Sequence, residues 1–121
     1  MSKRQSIWNK TKGFCWYCGG LLPEKGWHID HVEPVCRFNG KAEMPHLDNI
    51  DNMVPACASC NNFKHVFTVE QFRHEIEKQV ERARKTSLIF RMAERYNLLW
   101  VVEAPVVFYF EAMGLNQKGR G

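Results

Sequence analysis

Two Cys-x-x-Cys pairs, Cys15-Trp16-Tyr17-Cys18 and Cys57-Ala58-Ser59-Cys60, constrain this chain more than any other feature. A pair spaced this way can place both sulfurs on one ion, and two pairs complete the closed tetrahedral set that Zn²⁺ takes in structural sites. Gly19-Gly20, directly after Cys18, supplies the tight backbone that a metal knuckle needs. The binding energy of such a site, roughly 10–16 kcal/mol in small zinc peptides, can decide whether a short chain folds. At 121 residues the chain buries only a modest core. Paired disulfides conflict with a reducing compartment, and a redox Cys-x-x-Cys would need a βαβ context that the sequence lacks. Cys36, the fifth cysteine, reads as a spare or buried thiol.

The length fits one domain. The N-terminal Met1-Ser2-Lys3-Arg4-Gln5 has basic residues with no apolar signal core behind it. The longest apolar candidate for a membrane span, Leu98 to Phe110, is interrupted by Glu103 and Pro105. A cytoplasmic protein with no membrane partner is the expectation, in a bacterial or phage setting. The net charge of +4 is compatible with a polyanion partner and equally with ordinary solubility.

Along the chain, residues 1–13 read as a basic N-terminal arm, either a short helix or a loose segment. Trp27 to Val32 reads as a short strand whose alternation sends Trp27, Ile29 and His31 to one face and His28, Asp30 and Val32 to the other. Glu33 to Asp51 is a long irregular loop. Met53 to Ala56 is a second strand, marked as an edge by Pro55. A helix is expected from Asn61. Thr68-Val69-Glu70-Gln71 is a capping-box pattern opening a clearer one, with Val69, Phe72, Ile76, Val80 and Ala83 on one stripe. The stripe weakens at Thr86-Ser87 and resumes with Leu88, Ile89, Met92, Ala93 and Tyr96, which predicts a kinked helix or two helices ending near Asn97. The runs 99–102 and 106–110 are β-rich and read as a hairpin or two strands. The second is apolar on both faces, so helices or another chain must cover it, and a homodimer is one way to do so. Residues 114–121 read as a flexible tail.

Asp30-His31, then Asn52, then Cys57-x-x-Cys60-Asn61-x-x-Lys64, behind an upstream Cys-x-x-Cys pair, resemble the HNH endonuclease family, named for its His, its Asn and a final His or Asn. The resemblance runs from Cys15 to about Lys64. It implies an α+β fold. Residues 14–67 would be a ββα-metal finger nuclease core with zinc knuckles, and residues 68–113 a helical and β extension of the same domain. It also implies a metal-dependent endonuclease that hydrolyses phosphodiester bonds in DNA, by nicking or double-strand cleavage. His31 would be the general base and Asp30 and Asn61 would hold a divalent ion. Asn52 would brace the loop and orient His31, and Lys64 could touch the phosphate.

The residue types suit that chemistry. Phosphodiester hydrolysis needs an activated water, charge neutralisation on the phosphate and help for the leaving oxygen. A neutral histidine can take a proton from water near pH 7. A carboxylate and an amide oxygen are hard ligands, so Mg²⁺ or Mn²⁺ is expected beside the structural Zn²⁺. Asn62 competes with Asn61, and Asn49 competes with Asn52. His46, Asp48 and Asp51 are possible extra ligands or contacts, while His28, His65 and His74 have no role and are expected to be exposed.

Lys78, Arg82 and Lys85 share a helical face that could track a phosphate backbone, with Arg84, Arg91 and Arg95 adding charge nearby. A solvated helix laced by Glu77 and Glu81 accounts for the same residues. Trp16, Tyr17 and Trp27 read as packing around the zinc. Two non-enzymatic alternatives stand beside the nuclease: a zinc ribbon that grips nucleic acid without cutting it, and an interaction module that docks through the residues beyond Lys64.

Overall fold

The computed structural model describes residues 1–35, 37–39, 41–42 and 44–118, so Cys36 lies outside the described residues. The chain forms two compact units, one made of residues 1–69 with the chain from Val107 onward, the other of Glu70–Val106.

In the first unit a strand pair carries the rest. β1 (His28–His31) runs antiparallel to β4 (Met53–Ala56), with Asp30 opposite Val54 and His31 opposite Met53. All four residues of β4 are buried. Pro55 is tolerated because β4 pairs only with β1, and its carbonyl accepts from the Trp16 N–H of the first knuckle at 2.9 Å. α2 (Ala58–Lys64) follows at once, so the helix starts three residues earlier than expected and Asn61 sits inside it. The cause is Cys57, whose sulfur accepts from Cys60 N–H and acts as the N-cap. Strand, strand and helix thus surround one corner of the fold.

The arm forms α1 (Lys3–Trp8), capped by Ser2 and held by the buried Ile7. The loop between the strands is more ordered than its composition predicts. It holds a small hairpin of β2 (Arg37–Phe38) and β3 (Lys41–Ala42) and two 3-10 turns, Pro45–Leu47 and Ile50–Asn52. Lys10 reaches in to donate to the carbonyls of Ile50 and Met53, both at 2.6 Å.

The second unit contains most of α3 (Val69–Glu77), then α4 (Gln79–Thr86) and α5 (Leu88–Arg95). The expected break occurs at Ser87, whose hydroxyl caps α5 by accepting from Phe90 N–H at 3.1 Å. A further break falls at Lys78. The run 99–102 forms no strand and carries no regular secondary structure, and further on the Val106 carbonyl accepts from Arg73 at 2.6 Å.

The run 106–110 is also not a strand. Phe108, Tyr109 and Phe110 wedge into the aromatic side of the first knuckle, and α6 (Tyr109–Ala112) begins there. Phe110 stacks on Trp16 at 5.1 Å, Phe108 stacks on Phe110 at 6.0 Å, and Tyr17 meets both edge-on. The backbone follows suit, with Tyr109 and Phe110 N–H groups donating to the Tyr17 and Trp16 carbonyls. Gly19, at φ +75°, is required here because a Cβ would lie 2.8 Å from the Tyr109 ring. Phe108, Tyr109 and Phe110 are therefore covered from within their own unit, while Val107 stays 61 % exposed. Beyond it, Gly114 at φ +64° closes the helix and Leu115 N–H returns to the Phe110 carbonyl.

No described helix is long and apolar enough to cross a membrane.

Phe108, 2 % exposed, is the keystone of this wedge. Phe108→Ala is expected to cost about 3–5 kcal/mol in urea unfolding. A loss under about 1 kcal/mol would mean that the wedge is peripheral to the fold.

Candidate active site

The four paired cysteines converge. The sulfurs of Cys15, Cys18, Cys57 and Cys60 all lie within 4.8 Å of one another, the one such metal-ligating group among the described residues. Backbone N–H groups point at the sulfurs, from Cys57 to Cys15, from Cys60 to Cys57 and from Gly20 to Cys18, each at 3.4 Å. The crowding shows in the thiols. A hydrogen bond from Cys60, against the cost of burial, pulls Cys15 down to about 4. The same bond, helped by burial, pushes Cys60 far up, and burial raises Cys18. Four sulfurs this close cannot all ionise without a cation between them. The donor set fits a structural Zn²⁺ with no open position.

On the other side of Tyr17 lies a buried polar cluster. Asp30, 4 % exposed, accepts from the Tyr17 hydroxyl at 2.5 Å and pairs with Lys64 at 3.1 Å, both through Oδ2. Oδ1 carries no hydrogen bond among the described residues. Lys64 is fully buried and also donates to the His31 carbonyl at 2.8 Å. This corrects the expectation that Lys64 contacts phosphate. It sits in the last turn of α2, points at β1, and spends its charge on Asp30. Burial lifts the Asp30 carboxyl above the usual range, with Lys64 and Tyr17 opposing, and burial lowers Lys64 against the pull of Asp30. Burial, together with the Asp30 charge, pushes the Tyr17 hydroxyl far up and keeps it a donor.

His31 ends β1 half-buried, its Nε2 2.9 Å from Asp48 Oδ1. Asn52, 4 % exposed, holds the loop that carries Asp48. Its Nδ2 donates to the Glu33 and Leu47 carbonyls, both at 2.8 Å, and its Oδ1 accepts from Glu33 N–H at 2.9 Å. Val32 N–H donates to the Asn52 carbonyl, which locks the end of β1 beside His31. Asn49, the competitor, caps a 3-10 turn by accepting from Asp51 N–H and donates through Nδ2 to the His46 carbonyl at 2.7 Å.

A cleft of about 430 Å³ opens against these groups, lined by Ile29, Asp30, His31, Pro34, Val35, Asn61, His65 and Val66. Asp30, His31 and Asn61 are thus brought together, and Asn62 is not among the lining residues. His65 is the residue that sequence reasoning missed. It is exposed, as expected, yet it lines this cleft as the C-cap of α2, at a strained φ of +47°. Its spacing of four from Asn61, one helical turn, was the available signal. His28 and His74 are exposed and away from the cleft lining. In the second unit, Arg82 is tied to Glu75 at 2.6 Å and Lys85 to Glu81 at 3.3 Å, so acidic residues lace much of the basic stripe.

Two outcomes follow from this geometry. Zinc assay of the purified protein is expected to find one ion per chain, lost together with the folded state in Cys15→Ser. Lys64→Met leaves a carboxylate buried without its cation and is expected to cost about 3–5 kcal/mol at neutral pH. Asp30 is already raised by burial, and without Lys64 it rises further. A raised group favours folding below its unfolded value and loses that contribution as pH rises through the folded one. The deficit of Lys64→Met should therefore shrink on acidification toward pH 4 in Mg²⁺-free buffer, and a pH-independent deficit would contradict the pairing.

Strand, strand and helix around a carboxylate–histidine–amide cleft, pinned by four sulfurs, agree with the comparison to known families. No curated protein matches the chain. The family model for HNH endonuclease matches residues 15–67, a span that runs from the first knuckle through β1, β4 and α2 and stops before the second unit. Over residues 15–67 the chain is similar to the HNH endonuclease family.

Proposed function

We propose that the chain is a metal-dependent endonuclease that hydrolyses phosphodiester bonds in DNA at the cleft between β1 and α2. The observation that carries this reading is the convergence of Asp30, His31, Asn61 and His65 on one cleft. Asp30 Oδ1 and the Asn61 side-chain oxygen would be hard donors that suit Mg²⁺ or Mn²⁺, and a ring nitrogen of His65 on the same cleft would add a softer third. When bound, such an ion supplies charge neutralisation on the phosphate and on the leaving oxygen.

The chain's own residues do the rest. Tyr17 and Lys64 fix the Asp30 carboxylate by its other oxygen. His31 removes the proton from water as general base. Asp48 accepts from the His31 Nε2–H, which leaves Nδ1 with the lone pair. Asn52 acts one step back by holding the Asp48 loop and the end of β1. DNA contacts by Lys78, Arg82 and Lys85 require Arg82 and Lys85 to exchange Glu75 and Glu81 for phosphate, so that part of the interface should weaken steeply with salt. The metal-binding thiols suit the reducing cytoplasm.

Relaxation of supercoiled plasmid, run with Mg²⁺, Mn²⁺ or Ni²⁺ and in divalent-free buffer, tests the reading. Cleavage should need the added ion. It should fall about 10²–10⁴-fold in His31→Ala with zinc content unchanged, and fall as well in Asn61→Ala. Folded, zinc-loaded protein that binds DNA equally well with and without His31, and cuts under no divalent ion, would favour the non-cleaving zinc-ribbon module instead.

A further inference from the structure

The second unit carries an apolar surface that its own residues leave open. Of residues 70–106, Phe72 is the one that is buried. α5 is held to α4 from one side. Arg91 donates to the Arg84 and Lys85 carbonyls, and Glu94 pairs with Arg84 at 2.6 Å. At about 100° per residue, Leu88, Ile89, Met92 and Tyr96 fall on the side opposite Arg91 and Glu94. Three of them are largely exposed: Leu88 62 %, Ile89 84 % and Tyr96 67 %. The chain then continues through Leu98, Trp100 and Val102, each at least 80 % exposed. An amphipathic helix with its apolar face outward has no reason to persist in water without a cover.

The same unit offers the complementary shape. A groove of about 730 Å³ runs between the α3–α4 helices and the segment 101–106. Its apolar lining includes Ile76, Val80, Val101 and Val106, and Glu77, Glu81 and Glu103 also line it. Its one cation, Arg84, is held by Glu94. Arg95 borders the outward stripe of α5 and is exposed, touching only the Met92 sulfur among the described contacts.

We propose that residues 70–106 are a self-association module in which the outward stripe of α5 seats in the groove of a second copy, reciprocally, with Arg95 of each chain facing the acidic side of the other's groove. Three arguments favour a second copy. The first is area: at roughly 200 Å² for a fully exposed side chain of this size, the five open residues outside the groove, Leu88, Ile89, Tyr96, Leu98 and Trp100, expose on the order of 750 Å², close to the about 800 Å² per partner of a stable interface. The second is charge. The unit holds seven Lys and Arg against six Glu, so two copies do not repel. The third is that stripe and groove occur on the same unit, as a two-fold exchange requires. The inference is independent of the nuclease reading.

Sedimentation velocity of the full, zinc-loaded chain across a concentration series tests it. The expected result is a species of twice the chain mass. Ile89→Glu should weaken the association at least tenfold, with zinc content and circular dichroism unchanged. Arg95→Glu and Glu103→Arg should each weaken it, and together restore it. A folded parent that stays monomeric at about 100 µM, well above the micromolar range of stable interfaces, overturns the proposal. So does a dimer that Ile89→Glu leaves intact, or a charge swap without rescue.

Discussion

The buried contact between Lys64 and Asp30 is the constraint on which the candidate site depends. A lysine with no exposed surface is costly to ionise, and so is the carboxylate it meets. An apolar pair of similar volume would serve stability at least as well. What the ion pair adds is geometry. Lys64 spans from α2 to β1 and bonds both the Asp30 carboxylate and the His31 carbonyl. Tyr17 brings the first knuckle to the same oxygen. Three separate stretches of chain therefore agree on where Asp30 sits, at the lining of the cleft, and Tyr17 and Lys64 both bind it through Oδ2. A small domain keeps such a cluster when position matters more than net stability.

The sulfur cluster acts on the same region from behind. Tyr17 lies between two ligands, Cys15 and Cys18, so its ring and hydroxyl cannot move without the knuckle moving. Its outer face is closed by Phe108 and Phe110, which arrive from the far end of the sequence. Sulfur cluster, aromatic wedge and ion pair form one chain of contacts. This explains why the chain from Val107 onward belongs with the unit that holds the knuckles although the helices before it form a second unit. It also explains the failure to form a strand at 106–110. The alternation of large apolar groups is real, but its two faces meet aromatic rings and not a neighbouring strand's backbone.

The sequence made the short-range features plain and the long-range ones obscure. The knuckles, the Asp30-His31 strand and the Ser87 break could be read because each rests on spacing or on a side chain that bonds its own neighbours. Lys64 was misassigned because a lysine on a short helix is usually a surface cation; its burial depends on a partner 34 positions away in the chain. His65 was passed over because it stands at a helix end with positive φ, which periodicity does not register. Asp48 was one of several acids in an irregular loop until Asn52 was seen to hold that loop against His31.

The two units differ in how they meet water, and the difference bears on what each is for. In the first, Trp16, Tyr17, Trp27 and Phe108 are buried, and among the described residues the Trp16 indole N–H is the one fully buried side-chain polar atom without a partner. In the second, the ion pairs are on the outside and the apolar groups are too. Surface ion pairs of this kind contribute little, so helices α4 and α5 have only weak reasons of their own to hold their arrangement. A segment built that way gains its order from what it contacts. The first unit needs no such help, because the four-sulfur cluster, which fits a structural Zn²⁺, and the buried Asp30–Lys64 pair tie its segments together. The second is free to serve as a surface whose structure is completed by association.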